Sequence, residues 1–482
     1  MRRAARVLAT LAAVGAAFGV VSIGGQRDAA ACGGCFQPPI PPTETQTATD
    51  ITDERMLLTV SPQQTTLYDQ ITYSGNPTTF AWVLPIRGNV TVGLSADVLF
   101  DSVDALTATQ IISPVRNCPP APSCSGGNGG GCSDSSEGAG FASEAPEAEA
   151  DAGAVQVTKA QNVGPYATVQ LSSTSSTALD QWLTTNGYDI PAAVQPVLAA
   201  YVAEGFDFLA MKLLPNTGVS SMRPVRVTST GASLTLPLRM AAIGTGTTVG
   251  ITIWVVADGR YQPQNFPFFR INDSQLVWDW SSQSSNYTAL RQQEEASYDG
   301  KGWELESSLS LAQSTVTSAI VSGGVVGAGS AAGPSDASQD YLPVTDASGN
   351  VTETADEVRD ADVAALFAGI SGANATFTRM RSDIAHAAMT VDFVVEASPD
   401  QSQLTNIRNP TQEINLTCPV YGNDCTIIGN APATATPSSS PSTGGGSTFA
   451  CATSKGSREA PMSLSAILAI VGLALLRPRR RK

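Results

Sequence analysis

Apolar and polar residues alternate in short runs from Thr52 onward. Residues 55–60, 65–73 and 79–84 are rich in β-branched and aromatic side chains, and Gly75, Asn76 and Pro77 separate the last two. Such runs between turn residues predict the strands of an antiparallel meander. Between residues 95 and 109 the period changes. Val98, Leu99, Val103 and Leu106 recur at helical spacing, with Ser95 and Asp97 as a cap region.

The same reading predicts a strand over 166–171, helices over 176–186 and 191–204, and strands over 206–214, 225–228, 234–238 and 249–257. Pro85 and Pro237 each follow a leucine and are expected to end strands. Beyond Gln262 the pattern is less regular. Residues 287–297 and 354–370 read as helices, 375–380 and 390–395 as strands, and Trp278, Trp280 and Trp303 as core anchors. The sum is an α+β body, mainly antiparallel β-sheet with several helices.

Two stretches interrupt it. Residues 119–154 are Gly-rich and then Ala/Glu/Asp-rich, and residues 322–340 are Gly/Ala/Ser-rich. Neither can bury enough apolar surface to offset its ordering entropy, so both are expected as disordered insertions. Residues 431–450, rich in Pro, Ser, Thr and Gly, are expected to form a flexible tether.

The two ends differ from the body. Arg2, Arg3 and Arg6 precede an apolar run over 7–23, and Ala29, Ala30 and Ala31 lie before Cys32. This pattern predicts a secretory signal over residues 1–31, cut between Ala31 and Cys32. Acylation of Cys32, as in a lipoprotein, is the alternative; Arg27 and Asp28 in the gap before the cysteine favour ordinary cleavage. At the other end lie Cys451, an apolar run over 462–476 and the basic segment 477–482. Fifteen helical residues reach about 22 Å, against a hydrocarbon core of about 30 Å. The basic end stays cytoplasmic, which places the body, residues 32–430, outside.

Cys451, the run over 463–476 and Arg477 to Lys482 resemble the myxobacterial C-terminal sorting tags. That resemblance implies a membrane protease acting near Cys451 and attachment at the surface of a Gram-negative cell, so that 451–482 is an address and not a lasting span. A charged spacer (Lys455, Arg458 and Glu459) departs from the pattern. Residues 179–191 and 201–213, with Cys32, Cys35 and residues 80–85, resemble domain-of-unknown-function family 2330 over roughly residues 32–400. The resemblance implies an exported bacterial protein and brings no activity.

Charge narrows the partners. The formal net charge is −15; without residues 1–31 and 452–482 there remain 16 Lys and Arg against 40 Asp and Glu, a net of −24. Such a surface repels nucleic acid and anionic headgroups. The expected partners are the export machinery, a C-terminal sorting protease and the membrane through the C-terminal segment, with the ligand unidentified.

Candidate chemistry is sparse. A single histidine, His386, rules out a His-rich metal site, and the chain has no G-x-S-x-G elbow for a nucleophile, so His386 reads as a surface or capping residue. No loop has calcium-ligand spacing. Gly327 and Gly329 run into no helix and carry no dinucleotide fingerprint. No catalytic, metal or cofactor residue is assigned. Eight cysteines in an exported chain predict disulfides. Cys418 and Cys425 are expected to close a small loop. Cys32 and Cys35 precede a proline run that cannot supply a helix terminus, so a structural disulfide is preferred to a redox pair. If Cys451 is used for attachment, seven cysteines remain; acylated Cys32 would leave six. The expected function is a surface-displayed binding or structural module, with an envelope hydrolase or a thiol-redox enzyme using Cys32 and Cys35 as the alternative.

Overall fold

A computed structural model describes residues 35–36, 51–70, 81–118, 155–188, 194–214, 222–243, 245–323, 340–345, 350–422 and 426–432. These lie in one compact unit ending at Ala433. The fold is α+β, with seven α-helices among the described residues and sheets that are mostly antiparallel.

An eight-stranded sheet forms the centre. Its order is Phe268–Phe269, Trp303–Ala312, Asn374–Ala385, Thr245–Ala257, Ile51–Val60, Gln64–Gln70, Val225–Thr230 and Thr91–Leu94. Only its central pair, Ile51–Val60 beside Thr245–Ala257, and its edge pair at Phe268–Phe269 run parallel. A five-stranded antiparallel sheet packs on one face, in the order Cys35–Phe36, Ala81–Ile86, Asp207–Leu213, Tyr166–Ser173 and Val155–Val163.

Period-two alternation dictates the layers, because successive side chains on a strand point to opposite faces. Met56, Leu58, Ile251, Ile253, Val255, Met380 and Leu305 meet Trp82, Leu84 and Leu209 between the sheets. The intervening Leu57, Trp254, Val256 and Phe377 meet the helices Asp97–Thr107, Gln313–Val321 and Ala355–Leu366. On the outer face of the smaller sheet, Val83, Phe208 and Ala210 bury the helices Ser176–Thr185 and Gln195–Ala203. The result is a helix, sheet, sheet, helix sandwich with three apolar interfaces.

Several expectations change against this frame. The first two meander strands form a hairpin, but Ala81–Ile86 leaves for the smaller sheet and pairs with Asp207–Leu213. Buried on both faces, it belongs inside a layered stack and not at the end of a ribbon. Pro85 does not end that strand. It pairs with Phe208, and the strand runs on to Ile86. Residues 234–238 split at Pro237 into the strand Thr235–Leu236 and a short helix, Leu238–Ala241. Ser95 does not cap its helix; its hydroxyl donates to Asp362 at 2.6 Å, while Asp340 accepts from the Val98 N–H. Thr354 and Glu357 do form a reciprocal capping box at the start of Ala355–Leu366.

The cysteine pairing is also corrected. Cys418 bonds Cys118, 300 residues away, with Cα atoms 5.4 Å apart, so it cannot close a loop to Cys425. The disulfide ties the exposed hairpin Thr417–Tyr421 and Ile427–Pro432 to the segment that leaves the helix Asp97–Thr107. Residues 431 and 432, expected as the start of the tether, belong to that hairpin. Cys425, the insertion 119–154, most of 322–340, and residues 433–482 lie outside the described residues. Among the described residues no helix is long and apolar enough to cross a membrane.

Candidate functional site

On the helix-facing side of the central sheet, the apolar surface stops partway along the strands. Beyond Phe377 the strand Asn374–Ala385 presents Arg379, Arg381 and Asp383, paired in register with Trp254, Thr252 and Gly250. The neighbouring strand Trp303–Ala312 opposes Leu305 to Met380 and Ser307 to Arg379, which leaves Glu306 as an extra residue. This is a β-bulge, a device that re-aims side chains. It reverses the alternation: Trp303 and Leu305 face the smaller sheet, whereas Leu309 and Leu311 face the helices. Glu304 and Glu306 are both brought to the helix side, where both are buried.

A row of charges follows. Arg379 donates to both Glu306 and Asp104, and its guanidinium lies 5.0 Å from the centre of the Trp254 ring. Arg408, fully buried, donates to the Glu306 carbonyl at 2.6 Å, serving the bulge backbone. The Tyr287 hydroxyl lies 2.8 Å from Glu304 Oε2, 3.3 Å from Glu306 Oε1 and 3.2 Å from Thr109 Oγ1. Burial, and then the neighbouring Glu306 charge, push the Glu304 carboxyl up to about 7. Its Oε1 has no hydrogen-bond partner.

The helix Tyr287–Ser297 covers this row with an unusual face. Tyr287, Arg291 and Glu295 recur every four residues, so one stripe carries all three. Arg291 bonds Asp383 at 3.0 Å and lies 3.7 Å from Glu295, whose Oε1 accepts from the Asp383 N–H at 2.9 Å. Burial raises the Glu295 carboxyl above its ordinary value. Only Leu290, with Tyr287, joins a small apolar cluster with Phe269, Ile271 and Leu276.

At the end of this helix a cleft of about 420 Å³ opens, lined by Thr248, Gly250, Gln292, Glu295, Gly300 and Asp383. Gly300 in its wall and Asp299 just before it are consecutive left-handed residues, with φ of 70° and 55°. That conformation costs energy at a non-glycine residue, and such strain gathers at binding and active sites. Glycine and alanine along the lining leave the space, while the arginines hold the two carboxylates in place.

Two other buried polar nodes close on themselves. Asp362 accepts from Arg226 at 2.7 Å, Ser95 at 2.6 Å and Tyr341 at 2.9 Å, which fastens the helix Ala355–Leu366 to the sheet. Asp392 accepts from Arg239 at 2.7 Å and Tyr201 at 2.6 Å. Both serve the fold. Among the described residues no cluster of three His, Cys, Asp or Glu could hold a metal ion.

Of the residues singled out in the sequence, those among the described residues do not line the cleft. Ala31, Cys32 and Cys451 lie outside the described residues. Cys35 sits in a two-residue strand opposite Trp82. His386 is exposed and begins a one-turn 3₁₀ helix, His386–Ala388. Trp82, Trp254, Trp278 and Trp303 are buried in the core, and the Trp280 indole donates to Glu413 at 2.7 Å. Glu304, Glu306, Tyr287 and the arginines were not anticipated. Their signal was the alternation Trp303, Glu304, Leu305, Glu306, in which carboxylates share a strand with core residues.

Likeness to known proteins supplies no chemistry. No curated protein matches the chain. Among solved structures, a mutated baculovirus P35 after caspase cleavage is 11% identical over 45% of this chain and 70% of its own, with a TM-score of 0.24. A second structure of mutated P35 after cleavage is 10% identical over 43% and 66%, with a TM-score of 0.21. Likeness at that level carries no argument about fold or activity. The profile of the uncharacterized bacterial family 2330 spans far more. It matches residues 6–395, from within the expected signal segment through the last strands of the sandwich, and the chain belongs to that family of proteins conserved in bacteria.

Proposed function

We propose that this is an exported protein, attached at the cell envelope through its C-terminus, whose body is a binding module with its ligand site in the cleft beside Glu295 and Asp383. Family membership brings no activity, so the reading rests on the chain itself. The basic and apolar start, the small residues before Cys32, and the tail beyond Cys451 support export and attachment. The Cys118–Cys418 disulfide suits an oxidising compartment.

The cleft carries the binding reading. Its carboxylates are held by Arg291, Arg381 and the Asp383 backbone, so little ordering remains when a ligand arrives. The lining offers acceptors at Glu295, Asp383, Gln292 and Thr248. It therefore suits a small polar ligand that carries amine and hydroxyl donors. Glucosamine is a fitting probe, with N-acetylglucosamine as the partner lacking the cationic amine. Amide shifts of the mature protein, followed by NMR, are expected to move at residues 248–250, 292–300 and 383–385 with millimolar glucosamine and less with the acetylated sugar. Unmoved amides at those positions would overturn the assignment. Intact mass of the mature protein tests export and attachment; a chain beginning at Cys32 and lacking the 452–482 segment is expected, and an unprocessed 482-residue chain would contradict it.

A further inference from the structure

We infer that Glu304, Glu306 and Tyr287 form a proton-operated latch that seats the helix Tyr287–Ser297 on the sheet and so governs the wall of the cleft. The latch stands on its own geometry; its consequence for ligand binding rests on the reading of the cleft given above. Three observations carry it. The helix is held by a polar stripe of Tyr287, Arg291 and Glu295, where most helices bury an apolar one, so its seating responds to ionisation. A single tyrosine hydroxyl serves two carboxylates, yet has one proton to donate. Glu304 is wholly buried and its Oε1 has no hydrogen-bond partner, an arrangement costly for a carboxylate ion and tolerable for a carboxylic acid.

The surrounding charges are committed elsewhere. Arg379 serves Glu306 and Asp104, and Arg291 serves Asp383 with Glu295 close by. Arg408 donates to backbone carbonyls, as does Arg270. Arg381 donates to Thr252 and lies 3.4 Å from Asp383. Glu304 therefore keeps its proton while the helix is seated, with burial and Glu306 holding its carboxyl up to about 7. When the helix lifts, water reaches Glu304, the O–H bond breaks, and the proton passes to solvent.

Linkage gives the sign. Seated, the acid titrates near 7; exposed, it titrates near the ordinary 4.5. Opening releases one proton between those limits, so the opening constant rises about tenfold per pH unit from roughly pH 5 to 7 and levels above. Hydrogen exchange of amides 290–297 in the mature protein reads this directly, after correction for the intrinsic rate. Wild type is expected to show the slope and Glu304→Gln to lose most of it, keeping only the part that Glu295, also raised by burial, contributes. A wild-type protein without the slope, or a Glu304→Gln variant that keeps all of it, would overturn the latch. Should Glu304→Gln fail to fold, Tyr287→Phe serves instead: opening several-fold greater with the slope retained is expected, and unchanged exchange at every pH would be contrary. No ligand enters the experiment, so failure of the latch and failure of the cleft as a binding site are separately visible.

Discussion

The strand Asn374–Ala385 faces two interiors built on different physics. Toward the smaller sheet it presents Met380 and Ile384, packed among Leu305, Ile253 and Trp303. Toward the helix Tyr287–Ser297 it presents Arg379, Arg381 and Asp383. Both sides are largely withdrawn from water. The first is stabilised by area removed from solvent, about 25 cal/mol per Å² whatever the pH. The second is stabilised by matched charges and hydrogen bonds, which offset a large desolvation cost only while every partner is present. An apolar interior is robust and silent. A charged one is conditional, and the cleft lies at its end.

Substitutions can break this contrast. Trp303→Ala, on the apolar side, is expected to cost about 3–5 kcal/mol by cavity formation. Denaturant unfolding at pH 5 and pH 8 should show the same loss at both. Arg379→Ala, on the charged side, is expected to cost a similar 3–5 kcal/mol at pH 8, because it strands Glu306 and Asp104. Adding Glu306→Gln to Arg379→Ala should recover part of that loss, because the amide leaves no stranded charge beside Trp254. No recovery in the double variant would remove the distinction between the two interiors.

Much of the fold was legible from pattern and much was not, for physical reasons. The helices Asp97–Thr107, Ser176–Thr185 and Tyr287–Ser297 follow from local spacing, and the strands flanking them from alternation. Strand order was hidden. Pairing of Ile51–Val60 with Thr245–Ala257 joins segments almost two hundred residues apart, and nothing local encodes it. The strand Trp303–Ala312 is hard to read for a sharper reason. The bulge at Glu306 swaps the faces partway, so odd-numbered apolar residues point to both sides in turn, and the polar positions are buried as well. The disulfide partner of Cys418 lies 300 residues away, where spacing arguments have no reach. The charged row is invisible for the same reason as the bulge: surface and interior carboxylates look alike until a register is known.

Smaller effects sharpen the comparison. Replacing Cys118 and Cys418 by serine is expected to cost roughly 2–4 kcal/mol through the unfolded chain. The exposed hairpin should become protease-sensitive while the sandwich stays folded, as limited proteolysis would show. Glu304→Gln is expected to be near neutral at pH 5 and stabilising by on the order of 1–3 kcal/mol at pH 8, because the amide has no proton to lose. Stability of the wild-type protein should fall from about pH 5 to pH 7, since Glu304 and Asp69, both pushed up to about 7 with burial as the leading cause, favour the folded state most when protonated. Below pH 4 the trend reverses. Glu204, Glu357, Asp279 and Asp400, held below their ordinary values first by hydrogen bonds, lose theirs there. Tyr287→Phe should cost least, about 1 kcal/mol, the worth of one hydrogen bond.

The charged interior is seated on an acid that keeps its proton, and the Glu304 carboxyl can be watched directly. Carbon-13 NMR of the protein with labelled glutamate, assigned through Glu304→Gln, follows its titration. A midpoint near pH 7 is expected; a midpoint below pH 5 would mean that Glu304 is an ordinary carboxylate and that the helix Tyr287–Ser297 is held by other means.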